Sequence, residues 1–345
     1  MDRRGKKPGH RGSHGVTAES DGVDSGNGGC DSGNDGGDSR SAGAAPMKKL
    51  PRVNLLLAVI VVGMLWGLVP ALGKIAIEAG ANPLGLTLWQ GLGAAVLLLA
   101  LTFARGRRLP LGRPHLVLYV IGGVTGTALP TFVIFTATQH ISIGVISILI
   151  ALVPLLTYAA GLPLRIETVS AGRLAGVALG FTAVVMLALP GAAVSTTAAA
   201  GLWVMIGLLV PLSYTVENLY VALRRPPGTD PVAIVAGMAV FSVLVLAPLT
   251  AAGGKFTALS INPAAMGKLE LAVAGIMAIN AACYVAFVHM IKISGPLFAS
   301  LIGYAIMLFG VLWGIWLFNE SHTPWVWTAM VAMLTGMALV RERPV

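Results

Sequence analysis

Residues 53–76 read VNLLLAVIVVGMLWGLVPALGKIA, and this stretch decides the fold class. Asn54 and Lys74 are its only strongly polar side chains, and it contains no acid. An α-helix needs about 20 consecutive apolar residues to cross the roughly 30 Å of hydrocarbon in a bilayer. The stretch therefore predicts a membrane-spanning helix.

The rest of the chain repeats this pattern, because further apolar runs alternate with short polar or Pro-Gly turns. A transmembrane β-barrel would need alternating polar residues, which these continuous runs lack. The sequence thus predicts an all-α polytopic membrane protein with ten transmembrane helices. The predicted spans are 53–76, 83–103, 115–138, 142–164, 171–190, 200–222, 230–252, 269–291, 294–318 and 323–341.

Charge and cysteine content exclude several classes of protein. Only 11% of the 345 residues are charged, too few to cover the surface of a soluble chain of this length. The net charge of +9 does not indicate a nucleic-acid partner, because the basic residues form short clusters between apolar runs. The partners expected are the lipid bilayer and a small-molecule substrate. Cys30 and Cys283 provide no disulfide framework.

Residues 1–46 differ in kind from the remainder. They are rich in Gly, Asp and Ser and have no apolar period, which predicts a disordered N-terminal tail. Met47 precedes the first span and resembles a start of translation. The tail is interpreted as an upstream extension without a role of its own.

Lys and Arg are distributed unequally between the two ends of the predicted helices. Fourteen lie at one end and only Lys255 and Lys268 at the other. Because cytoplasmic loops carry the excess of Lys and Arg, both termini are expected in the cytoplasm, with the protein in the inner membrane.

An internal repeat divides the chain into a first five-helix repeat, 53–190, and a second, 200–341. Each repeat has an odd number of spans, so the second is expected to be inverted relative to the first. Inverted repeats of this kind place a substrate site near the bilayer midplane. The matched pairs include Asn82 and Asp230, Gly123 and Gly275, Phe132 and Tyr284, Ser147 and Ser300, Gly161 and Gly314, and Glu167 and Glu320.

These motifs resemble the EamA-type transporters of the drug/metabolite transporter superfamily. The residues that carry the resemblance are Leu65, Trp66, Gly67, Lys74, Asn82, Pro83, Pro154, Glu167, Ser170, Arg173, Gly176, Ser300, Tyr304, Gly314 and Glu320. The resemblance implies that the third, fourth, eighth and ninth helices line a central cavity and that the first and sixth close it. Gln90 stands where many relatives carry an Arg, and Met307 where a second Pro is expected.

Glu217 is the acid that lies deepest within a predicted span. Ser213, Glu217, Tyr220 and Arg224 recur at helical spacing and form one polar stripe, with Tyr214 beside it. A charged side chain at mid-bilayer costs about 2.5–3.5 kcal/mol, so it requires an explanation. The carboxylate either binds a proton or a cationic group of the substrate, or it is structural and bonds to Tyr hydroxyls or cytoplasmic water.

Lys74 and the neutral polar groups are the other candidates. Lys74 either binds an anion or extends its stem to the interface. Gln90, Thr131, Asn280 and Tyr304 could face a central cavity, and such groups also join helices as plain interhelical contacts. Thr127 and Tyr158 are further polar groups of this kind, whereas Trp66, Trp203, Trp325 and Trp327 are interpreted as interface anchors.

These features predict a secondary transporter for a small metabolite, an amino acid or a similar neutral or zwitterionic solute, with export implied by the resemblance. The alternative is a membrane scaffold or sensor that transports nothing. The spans lack the motifs of membrane enzymes, and a channel would need a ring of charge or carbonyls along a pore. No enzyme activity, cofactor or metal site is predicted.

Overall fold

The computed structural model describes residues 52–188, 198–260, 266–299 and 301–340. The predicted tail, Ser300 and both chain ends lie outside these ranges. Within them, the ordered elements are all helical and no strand occurs. The helices are α1 (Arg52–Glu78), α2 (Pro83–Ala104), α3 (Arg113–Gly123), α4 (Leu129–Ala137), α5 (Ile143–Ile150), α6 (Val153–Gly161), α7 (Ala171–Ala188), α8 (Ala198–Gly207), α9 (Leu209–Arg224), α10 (Pro231–Ala252), α11 (Lys268–Ala299), α12 (Ile302–Phe318) and α13 (Pro324–Val340).

The helices of the described residues fall into two groups by length. Eight helices or continuous helical runs are long and apolar enough to cross a membrane. Three of them combine shorter helices: α3 with α4, α5 with α6, and α8 with α9. Helices α12 and α13 have 17 residues each, at the lower limit of the length that spans a bilayer.

Two helices begin as the sequence predicted, each with a capping side chain followed by proline. The Asn82 Oδ1 atom accepts a hydrogen bond of 3.0 Å from the Leu84 amide at the start of α2. The Asp230 Oδ1 atom accepts one of 2.8 Å from the Val232 amide at the start of α10. Proline fits the first helical position because its missing N–H has no intrahelical partner there.

Pro130 changes the local helix type between α3 and α4. Val124–Ala128 forms one π-helical turn immediately before it. Proline removes a backbone donor and its ring collides with the carbonyl four residues earlier, which here belongs to Gly126. The wider π turn relieves this collision, and such turns are frequent at functional sites. It also brings Gly126 and Thr127 to the wall of a cavity.

Small residues let helices from the two halves approach closely. A Cβ atom on Gly176 of α7 would lie 2.6 Å from the Gly336 carbonyl of α13. A Cβ atom on Gly67 of α1 would lie 3.0 Å from the Ile306 carbonyl of α12. Without a hydrophobic driving force between helices in lipid, this close packing is what holds them together.

Helix packing follows a reciprocal order. Helix α1 packs against α11 and α12, while α9 packs against α4 and α6. Helix α2 packs against α10, and α7 against α13. Each of these pairs joins one half of the sequence to the other, so the centre of the bundle lies between the halves.

One predicted boundary is wrong. The eighth and ninth spans were separated at 291 and 294, but α11 continues to Ala299 and α12 begins at Ile302. The predicted boundary coincides with the charge of Lys292. A charge indicates a position relative to the membrane surface and does not break backbone hydrogen bonds, so it does not end a helix.

Candidate functional site

A cavity of about 250 Å³ lies at the centre of the bundle. Its wall is largely apolar and receives residues from α1, α2, α4, α5, α9, α10, α11 and α12 and from the π turn. The resemblance implied walls from the third, fourth, eighth and ninth spans, with the first and sixth closing them. The structure adds the second span, through Ala94 and Leu98, and the seventh, through Val235 and Ala239.

Polar groups reach this cavity from several helices. Gln90, Thr131 and Asn280, all predicted as candidates, line it together with Thr127. The Gln90 Nε2 atom lies 3.5 Å from Thr131 Oγ1, and the buried Gln90 Oε1 atom has no hydrogen-bond partner among the described residues. The site therefore presents an acceptor with unused capacity.

Trp66 is part of the cavity, so its interpretation as an interface anchor is wrong. Its indole N–H donates a hydrogen bond of 3.2 Å to Asn280 Oδ1. Its ring meets Tyr284 edge to face, with centroids 5.5 Å apart and planes at 85°. Tyr284 also lines the cavity, and the sequence had singled it out only as a repeat match. The Leu-Trp-Gly motif was the available signal for Trp66, and the repeat match to Phe132 was the signal for Tyr284.

Glu217 contacts one residue of the wall of this cavity. Its carboxylate occupies the space that a side chain on Gly126 would fill, and Gly126 belongs to the cavity wall. Tyr214, one turn earlier on α9, lines the cavity, and both Tyr214 and Tyr284 lie near Glu217. Glu217 has no hydrogen bond or ion pair with any residue that the structure describes. The role of Gly126 was not evident from sequence.

Lys74 lies elsewhere, against a second cavity of about 450 Å³. Its Nζ atom is 3.5 Å from Glu320 Oε1 and 4.3 Å from the centre of the Phe318 ring. Glu320 also accepts hydrogen bonds from the amides of Ile143, at 3.0 Å, and Gly144, at 3.4 Å. These amides open α5, so the carboxylate satisfies free donors at a helix N-terminus.

His322 completes this arrangement, which we name the Glu320 cluster: Lys74, Glu320, His322 and the first turn of α5. The His322 Nε2 atom lies 3.8 Å from Glu320 Oε2, and the side chain is fully buried. Burial lowers the pKa of His322 below its ordinary value, and the neighbouring Glu320 carboxylate opposes this effect only in part. The ring packs over Gly144, where a side chain would collide with it.

The remaining predicted residues are not in the central cavity. Tyr304 is partly buried against the main hydrophobic core. Tyr158 donates a hydrogen bond of 3.0 Å to the Thr168 carbonyl and accepts one of 3.2 Å from the Ser170 amide. Within the described ranges, no group of three or more His, Cys, Asp or Glu residues is arranged to hold a metal ion.

Comparison with known proteins agrees with the resemblance. Residues 54–189 match the EamA-like transporter family, which confirms it. YedA of Escherichia coli (strain K12), described as an uncharacterized inner membrane transporter, is 28% identical over 296 residues, covering 84% of this chain and 90% of YedA. YedA of two other Escherichia coli strains matches equally.

A protein of known crystal structure has a similar fold. It aligns with a TM-score of 0.56 and 19% identity, over 84% of this chain and 96% of its own. At this identity the similarity concerns the fold alone.

Proposed function

Taking the similarity to the EamA-like transporter family as the premise, we propose that this chain is a secondary transporter that moves a small metabolite across the inner membrane by alternating access. The observation that carries the proposal is the cavity of about 250 Å³ at the centre of the bundle, whose wall comes from both halves of the chain. A site at the interface of two repeats can open to either side when one half moves against the other.

The architecture proposed is ten transmembrane helices in two inverted repeats, 53–190 and 200–341. Reciprocal packing supports it, since α1 packs against α11 and α12 as α9 packs against α4 and α6. A second support is local: Glu167 lies over Gly161 as Glu320 lies over Gly314, each glutamate following its glycine by six residues. Helices α12 and α13 would supply the ninth and tenth spans.

The solute proposed is small and partly apolar, an amino acid or a related metabolite. The cavity wall is mainly apolar and aromatic, with a few polar groups placed among these side chains, as is typical of small-molecule sites. Export is proposed on the family resemblance. The excess of Lys and Arg at one end of the helices supports cytoplasmic termini.

Counterflow in proteoliposomes tests this function. Vesicles loaded with unlabelled amino acids or amines should accumulate the labelled solute transiently if the protein is a carrier. Thr127→Trp fills the cavity and should abolish counterflow. The matched control is Val120→Trp on the preceding helix α3, where the side chain is exposed on the outside of the bundle.

Two results would contradict a carrier. Counterflow that is unchanged in Thr127→Trp would show that the solute does not pass through this cavity. Absence of counterflow for every solute, with correctly folded protein, would favour a scaffold or sensor.

A further inference from the structure

We propose that the cavity selects its solute by a primary ammonium group and that Glu217 is the residue that binds this group. The inference rests on the transport function proposed above and narrows the class of solute. It depends on the charge, shape and hydrogen-bonding capacity of the cavity wall.

No described residue that lines the site carries a charge that would balance Glu217. The described residues that line the cavity include no Lys, Arg or His. Among the described cations, Lys74 pairs with Glu320 and Arg173 pairs with Glu167 at 2.8 Å. A charged carboxylate surrounded by apolar helices is unfavourable unless a partner compensates it. A cationic solute supplies that partner at the cavity wall.

The shape of the wall brings the carboxylate to the solute. Gly126 has no side chain, so the Glu217 carboxylate occupies the space beside its Cα atom. Tyr214 and Tyr284 line the cavity and lie near the same carboxylate. The Trp66 and Tyr284 rings, with planes at 85°, form an aromatic corner near these groups. Ring faces attract cations, so this corner favours the same charge as Glu217.

The hydrogen-bonding capacity specifies a primary amine. Gln90 Oε1 is a buried acceptor without a partner among the residues that the structure describes, and Glu217 adds two acceptor oxygens. A primary ammonium group offers three N–H donors, whereas a quaternary ammonium group offers none. The carboxylate of an amino acid would find no cationic partner in the described wall. An amine without a carboxylate therefore matches the site better than the corresponding amino acid.

Three probes of similar shape separate these possibilities. They are 2-phenylethylamine, phenylalanine and 2-phenylethanol, which carry an ammonium group, a zwitterion and a neutral hydroxyl group. Binding to the full chain in detergent is measured by isothermal calorimetry. The amine should bind at least 10-fold more tightly than the alcohol and more tightly than the amino acid, because a hydrogen bond to a charged group contributes about 10- to 100-fold in affinity.

Two variants and one control assign the effect to Glu217. Glu217→Gln should lower amine affinity at least 10-fold and leave alcohol affinity unchanged. Gly126→Ala keeps the acid but places a methyl group where the carboxylate lies, so it should also lower amine affinity selectively. Glu167→Gln removes an acid outside the cavity and should leave the preference intact.

The inference is overturned if wild-type protein binds amine and alcohol equally, or if Glu217→Gln weakens both probes to the same extent. Counterflow in the same preparations keeps the two proposals distinct. Selective, Glu217-dependent amine binding without counterflow would support the ammonium site and contradict the transport function. Counterflow of amino acids that amines do not inhibit, together with no selective binding of the amine, would support transport and overturn the ammonium site.

Discussion

Glu217 and Glu320 are chemically identical side chains in the same helical bundle, yet their surroundings are opposite. Glu320 is 7% exposed and lies 3.5 Å from the Lys74 ammonium group, and it accepts hydrogen bonds from two amides at the start of α5. Glu217 lies against the bare Cα of Gly126 at the edge of an aromatic cavity, without a partner among the described residues. The protein itself neutralises one carboxylate, and the other has no such partner among the described residues.

The difference teaches how a membrane protein distributes its few internal charges. A charge that the protein neutralises itself contributes to stability at that position. A charge that the protein leaves unbalanced destabilises the empty site and increases its attraction for an opposite charge. Three measurements of stability would break or sharpen this distinction.

Neutralising Glu320 is expected to have the largest effect. Glu320→Gln leaves Lys74 without its counter-charge and weakens the hydrogen bonds to Ile143 and Gly144. We expect the free energy of unfolding in mixed detergent to fall by about 3 kcal/mol, because removing one member of a buried pair exposes the protein to the desolvation penalty of the other. Equilibrium unfolding followed by circular dichroism measures this change.

Glu78→Gln is the matched control for that measurement. Glu78 lies on α1, one turn beyond Lys74, and its side chain is exposed. Its neutralisation should change the free energy of unfolding by no more than about 0.5 kcal/mol. Equal effects of the two substitutions would show that the Glu320 cluster is not a special source of stability.

Acid should weaken the Glu320 cluster by an intermediate amount through His322. Burial lowers the pKa of His322 in the folded protein, so the unfolded chain binds the proton more readily. Stability is therefore full above about pH 6.5, the ordinary histidine value, and is lost as the pH falls below it, by at most about 1.4 kcal/mol per pH unit.

Melting temperatures between pH 7.5 and 5.5 measure this loss. His322→Gln should flatten the pH dependence relative to wild type, whereas His140→Gln, at an exposed histidine, should retain it. A wild-type protein that becomes more stable on acidification would mean that the attraction of Glu320 outweighs the burial of the His322 ring.

Neutralising Glu217 should have the smallest effect on stability. Glu217→Gln replaces a carboxylate that has no partner among the described residues with an amide of similar shape, so the free energy of unfolding should stay within about 0.5 kcal/mol of wild type or increase. The same unfolding measurement that detects the loss in Glu320→Gln serves here. A loss as large as that of Glu320→Gln would show that Glu217 is a structural group with partners of its own.

Sequence reasoning located some of the central cavity and missed the rest for a physical reason. Gln90, Thr131, Asn280 and Tyr214 are polar residues in apolar spans, and their composition alone made them candidates that the structure brings to one cavity. Trp66 was assigned to the membrane interface because tryptophan occurs both at that interface and in buried sites, and the sequence does not separate the two. Its hydrogen bond to Asn280 joins positions 214 residues apart, which local spacing does not encode.

Lys74 illustrates the same limit. Its position near the end of α1 allowed either an anion site or extension to the interface, because both depend on what lies opposite. The structure places Glu320 and Phe318 there, some 240 residues later in the chain. Glycines behave similarly, since Gly126 matters only because Glu217 of another helix occupies the space beside it.

The sequence by itself determined that this chain is helical and lies in a membrane, where its helices begin at Asn82-Pro83 and Asp230-Pro231, and which family it resembles. Hydrophobic runs and helix caps are local properties, read from neighbouring residues. Only the tertiary structure decided that Glu320 is neutralised by Lys74 and that Glu217 lies beside the cavity without a partner among the described residues. Electrostatic compensation acts over a few ångströms in space, and residues far apart in sequence supply it.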